Sequence, residues 1–168
     1  MRIGIDISQT AYEKTGVATY LENLVEALIA KDTKNEYILF FSSLRRRIDK
    51  SFVKELESVD SPRVKFRSYP FPPLLLDLLW NRLHILPIEW FVVNVDVFIT
   101  SDWTEPPTKW AKKATLLYDL TVLTTPQETD KKIISTQKRK LSWVKKESSA
   151  VFCISEATKK DAEKLLNI

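Results

Sequence analysis

The first thirty residues constrain the fold more than any other stretch. RIGIDIS (Arg2 to Ser8) is a short apolar run that reads as a strand. VATYLENLVEALIAK (Val17 to Lys31) reads as a helix, with Val17, Leu21, Leu24, Val25 and Leu28 along one face. Gln9 to Gly16 joins them as a polar loop, and Gly16 is one of only two glycines in the chain. A strand feeding a helix through such a loop opens a βαβ unit, and ligands bind such proteins at the carboxyl ends of the strands. Thr19 and Glu22 have capping-box spacing, which predicts a regular helix starting slightly after Val17.

The same alternation continues. YILFFSS (Tyr37 to Ser43) reads as a fully buried strand, and the basic triplet Arg45 to Arg47 follows it. We read that triplet as a solvated loop in preference to a phosphate site. Phe52, Leu56 and Val59 mark a second helix, and Val64, Phe66 and Tyr69 a third strand. Pro70, Pro72 and Pro73 then force an extended connection. Leu74 to Val93 reads as one helix or two, because Pro87 must kink or restart it. VDVFIT (Val95 to Thr100) and ATLLYDL (Ala114 to Leu120) are the fourth and fifth strands, and TVLTTPQETD is a loop. A basic helix follows to about Glu147, capped by Thr129 or Asp130. AVFCIS (Ala150 to Ser155) is a sixth strand, and Glu156 to Leu166 a final helix. The fold class is therefore α/β: one three-layer, doubly wound domain with a mainly parallel sheet, over residues 1–168.

Composition narrows the chemistry. A net charge of +4 permits anionic partners without requiring nucleic acid. One cysteine, Cys153, suits a reducing compartment and reads as a small core residue. The apolar region Phe71 to Val93 is interrupted by Asp77, Asn81, Arg82, His84 and Glu89, too many polar groups for a simple membrane span. With a strand at the very start, no signal peptide is expected, and the protein reads as cytoplasmic. Neither the dinucleotide glycine fingerprint nor a P-loop is present. One His and one Cys argue against a His/Cys zinc site or a Cys–His dyad, and no D-x-D pair is visible. His84 reads as a core or interface residue.

Lys131 to Lys146 carries seven Lys or Arg and no acid, with Ile133, Ile134, Leu141 and Val144 near helical spacing. Its apolar stripe is expected to cover the sheet. Its basic face offers peripheral contact with an anionic membrane, on the inner face for a cytoplasmic protein. The aromatic residues do not interleave with the basic ones, which argues against nucleic acid.

The order of motifs resembles one family. RIGIDIS, then TGVATYLENLVEAL, then NEYILFFSS look like the start of the N-terminal domain of group 1 glycosyltransferases, which have the GT-B fold. LWNRLHILPIEWFVVNVDVFITSD, LLYDLTVLTTPQ and AVFCISEATKKDAEKLL continue the likeness, so that it spans nearly all 168 residues. The resemblance implies metal-independent transfer of a sugar from a nucleotide-sugar, as substrate, to a sugar or lipid-linked acceptor, without a cofactor. It implies the acceptor-side, Rossmann-like half of the enzyme, inactive without a C-terminal nucleotide-binding domain supplied in cis or trans. Gly16 and Val17 would offer backbone amides to the donor diphosphate; the competing reading of Gly16 is an ordinary turn glycine. Tyr118 and Asp119 occupy the position that the family writes His-Asp, and tyrosine there cannot titrate near neutrality. Asp102 and Trp103, an acid beside an aromatic, suit sugar hydroxyls and ring faces and would bind acceptor. The alternative reading is a non-catalytic interaction or regulatory module that kept the Rossmann-like fold.

Overall fold

The computed structural model describes residues 1–12, 15–101 and 103–168, and all side chains among them except those of residues 59–61. Six parallel strands form one sheet: β1 (Arg2–Asp6), β2 (Glu36–Ser42), β3 (Val64–Tyr69), β4 (Val97–Thr100), β5 (Lys112–Leu117) and β6 (Ala150–Cys153). Their spatial order is β3-β2-β1-β4-β5-β6. The chain builds outward from β1 to β3, returns to the other side of β1 with β4, and continues to β6. The strand order thus reverses between β1 and β4, the topological switch point of a Rossmann-like sheet.

Alternation along the strands sorts the core into two faces. Leu39 and Phe41 of β2, with Ile5 of β1, face one way. They pack against Leu21, Val25 and Ile29 of α1 (Gly16–Lys31) and Phe52 and Leu56 of α2 (Lys50–Asp60). Ile38, Phe40 and Phe98 face the other way, against Leu76, Trp80, Ile88 and Val92. A third cluster joins Leu117 of β5 to Leu141 of α6 (Lys131–Glu147) and to Ala162 and Leu166 of α7 (Glu156–Leu166). Gly4 is required on the second face: a Cβ there would stand 2.6 Å from the Phe98 ring.

Helix boundaries follow their caps. Thr15, in extended conformation, accepts the Ala18 N–H, so α1 begins at Gly16. The expected capping box at Thr19 and Glu22 is not the start; Thr19 already donates its N–H to the Thr15 carbonyl inside the first turn. Asp130, not Thr129, caps α6 through the Lys132 N–H. The stretch from 74 to 93 divides. After α3 (Pro73–Leu76) the chain continues as a π-helical turn, Asp77–Arg82. It then breaks with positive φ at His84 (52°) and Leu86 (62°) before α4 (Glu89–Val92). The region expected to be plain loop after β5 contains α5 (Thr121–Thr124) and a short 3₁₀ turn. Among the described residues no helix is long and apolar enough to cross a membrane.

Candidate functional site

The carboxyl edge of the sheet carries a cavity of about 630 Å³ on the β3 side of the switch point. The ends of β1 and β2 form its floor, the proline-rich turn into α3 one wall, and Trp103, Thr104 and the first turn of α6 the other. Asp6 closes β1 and lines the floor. Its carboxylate accepts the Ser8 N–H at 2.9 Å. Burial pushes its carboxyl above the usual carboxylate range, despite that bond and the nearby Lys140 ammonium.

Two buried polar networks hold the cavity walls. The first is the π-helical turn, whose spacing brings Asp77 and Asn81 together. Asn81 donates to Asp77 at 3.0 Å and to the Trp103 carbonyl at 2.9 Å, and accepts the Glu105 N–H at 3.0 Å. Arg82 and Arg139 both reach the Asp77 carboxylate, at 3.0 and 3.1 Å, and Trp143 donates to the Asn81 carbonyl. Burial works against the Asp77 charge, but the hydrogen bonds from Asn81, Arg82 and Arg139 together hold its carboxyl below the usual range. Asp77 and Asn81 together therefore tie the π-helical turn, the loop after β4 and α6 into one unit.

The second network lies under α6. Glu105 is fully buried; Thr100 donates to one of its oxygens at 2.8 Å and Thr115 to the other at 3.1 Å. The Lys113 ammonium lies 3.7 Å from Glu105 and 2.6 Å from Glu147. Burial raises the Glu105 carboxyl, while the ammonium groups of Lys140 and Lys113 oppose the rise. Lys140 is 1% exposed and donates to the Ser101 carbonyl at 2.7 Å. The basic helix of the sequence is thus not basic all along its surface: Lys140 and Arg139 turn inward to hold the loop after β4.

His84 belongs to this scaffold. Its ring stacks on Trp143 with centroids 3.6 Å apart, and its nitrogens meet the Trp80 carbonyl and the Glu147 carboxylate, each at 2.8 Å. Those contacts fix the break between the π-helical turn and α4. Glu89 plays a similar part, accepting the N–H groups of Lys109, Trp110 and Ala111 on one oxygen. Cys153 is half-buried, and burial, with Glu163 beside it, pushes its thiol up, away from a reactive thiolate. Among the described residues no three His, Cys, Asp or Glu side chains gather as a metal site.

The residues singled out from sequence fall into two places along this edge. Trp103 lines the cavity; Asp102 lies outside the described residues. Gly16 and Val17 open α1, and Tyr118 and Asp119 follow β5. These two pairs are joined through Tyr20, whose ring meets Tyr118 edge-on at 5.7 Å. None of the four lines the cavity that holds Trp103. Tyr118 is buried in the α1-side core, and an Asp119 oxygen is occupied by the N–H and hydroxyl of Thr121. Gly16 is exposed, without positive φ, and a Cβ would meet nothing within 4 Å. The backbone does not need a glycine there.

From sequence, Asp77, Asn81, Arg82 and Glu89 served only to exclude a membrane span, and His84 was read as a core or interface residue. These same polar interruptions are the clamps of the site, and the available signal was their presence in an apolar run, where buried polar groups require partners. Comparison with protein-family models, with curated proteins and with solved structures finds no match to this chain.

Proposed function

We propose that this chain is the acceptor-binding half of a metal-independent glycosyltransferase. It would present a sugar or lipid-linked acceptor to a nucleotide-sugar held by a nucleotide-binding domain in cis or trans, and be inactive without that domain. Such transfer forms a bond from an acceptor hydroxyl oxygen to the anomeric carbon while the bond to the nucleotide diphosphate breaks and the hydroxyl proton passes to the departing diphosphate or to solvent. Negative charge then grows on the diphosphate, and a helix N-terminus stabilises it. The observation that carries the reading is the cavity at the switch point, with Trp103 and buried Asp6 on its lining. A polar floor with an aromatic wall suits a sugar. The open, unstrained Gly16 at the start of α1 adds support, since a glycine that the backbone does not need is consistent with close approach of a ligand. In this reading Gly16 and Val17 contact the donor diphosphate, Asp102 and Trp103 the acceptor, and Tyr118 and Asp119 lie nearest the reacting centre.

One observation favours the second reading, a non-catalytic module. Tyr118 stands where the family carries histidine and is committed to the core. The two are separated by titrating the purified chain with glycosides while following backbone amide shifts. Perturbations gathered on Gln9, Trp103 and Thr104 are expected from an acceptor site; no perturbation by any glycoside would sink it. Sugar transfer by the chain alone would sink the half-enzyme view.

A further inference from the structure

The mouth of the cavity has a composition that its floor does not explain. Leu44 after β2, Leu74 at the start of α3 and Ile133 in the first turn of α6 all line it, and they are 56, 83 and 38% exposed. Between them stand Arg45, Arg46 and Lys132. Arg46 is engaged inward, donating to the Ala11 carbonyl at 2.8 Å and covering the Tyr12 ring. The side chains of Arg45 and Lys132 make no hydrogen bond or ion pair among the described residues. The two acids of the described lining, Asp6 and Asp77, are buried, and Asp77 is held by Arg82 and Arg139; the exposed carboxylate of Asp130 lies beside the lining, where it accepts the Lys132 backbone N–H.

We propose that this rim is a docking surface for an anionic phospholipid bilayer, with Leu44, Leu74 and Ile133 entering the interface and Arg45 and Lys132 meeting lipid phosphates. Three large apolar side chains exposed around one opening are stabilised by burial against acyl chains, and the cations between them complement a negative headgroup layer. A small soluble anion would use the cations and leave the leucines in water. The rim is also preorganised. Pro72 and Pro73 fix the backbone before Leu74, the Ser42 hydroxyl donates to the Phe71 carbonyl at 3.1 Å, and the Leu75 N–H returns to the Pro72 carbonyl at 2.9 Å. Docked this way, the cavity opens onto the membrane plane and receives ligands from the bilayer surface. The surface differs from the full length of α6 expected from sequence, because Arg139 and Lys140 are turned inward. It stands without the glycosyl-transfer reading, since vesicle binding needs no reaction.

The test is cosedimentation of the full chain with phosphatidylcholine vesicles, with and without phosphatidylglycerol, at low and high salt. Partitioning onto the anionic vesicles, weakened by salt, is expected. Removing the two cations (Arg45→Gln with Lys132→Gln) should lower the partition constant on the order of 10-fold or more. Leu44→Ser with Leu74→Ser should lower it on the order of 10-fold. All four side chains are exposed, so circular dichroism and the urea midpoint should not move. A fluorophore on Leu74→Cys, in a Cys153→Ser background, should shift to the blue when anionic vesicles are added. Absence of partitioning would overturn the proposal, as would equal binding to neutral vesicles. Binding that survives the leucine changes and is competed by inorganic phosphate would mean a soluble-anion site instead, and overturns it too.

Discussion

Two concavities among the described residues differ in what lines them, and the larger of these two is the less informative. A groove of about 800 Å³ lies on the α1 side of the sheet, where α1 and α7 leave the β4–β6 half uncovered. Its floor is Ile99, Leu116 and Phe152, and no buried charge lines it. The cavity at the carboxyl edge is smaller, yet buried Asp6 and Asp77 line it and the Glu105–Lys113–Lys140 network lies behind its wall. Desolvating such groups costs several kcal/mol each unless they are paired, so their gathering marks where the fold has placed its polar chemistry. The groove is an apolar sheet face left uncovered; the cavity is the one of the two that buried charged groups line.

The largest expected effect tests the scaffold behind the cavity. Glu105→Ala leaves Lys113 and Lys140 buried without their shared carboxylate and should cost about 3–5 kcal/mol in urea unfolding. A loss below 1 kcal/mol would mean that the network does not support the cavity wall. Asp77→Asn should cost less, about 1–2 kcal/mol, because its arginine partners are partly exposed and screened. The sign with pH follows from the lowered carboxyl of Asp77. Its contribution is complete above the unfolded value of about 3.9, and is lost as pH falls through the lower folded value. The acid limb of the stability curve should therefore be shallower in the variant, as read by unfolding at a series of pH values.

Gly16→Ala sharpens the comparison from the other side. The added methyl has open space and a helical backbone, so stability should rise by roughly 0.4–1 kcal/mol. If the diphosphate contact is real, activity reconstituted with a nucleotide-binding domain should fall, with the loss in donor KM. A variant that is more stable and equally active would remove Gly16 from the site. The smallest effect is expected in the groove. Phe152 is half exposed there, and Phe152→Ser should change stability by less than about 0.5 kcal/mol and leave glycoside shifts at Trp103 unaltered. A stability loss of several kcal/mol would show that the groove belongs to the folding core.

Much of this was legible in the chain because period and punctuation are local. Apolar runs separated by amphipathic helices pointed to an α/β sheet, Asp130 was one of the two caps expected for α6, and Pro87 divided the helical stretch after β3. The cap of α1 was misplaced, at Thr19 instead of Thr15. The strand reading erred mainly by length. β4 begins at Val97 instead of Val95 and β5 ends at Leu117 instead of Leu120, since pairing with neighbours sets strand ends. The site was less legible. Trp103, singled out from sequence, lines the cavity, but Asp6, Asp77 and Lys140 were not singled out, because nothing local distinguishes a solvated charge from one that folding buries.

The sequence by itself determined the layers, the strand count and the loop that opens α1. Only the tertiary structure decided that Lys140 points inward and that Tyr118 belongs to the core. It also decided that Gly16 and Trp103 stand in separate places along one edge. The reason is range. Helical and strand periods act over a few residues, whereas Asn81 meets Trp103 and Glu105, and Arg139 meets Asp77, only after the strand order has reversed between β1 and β4.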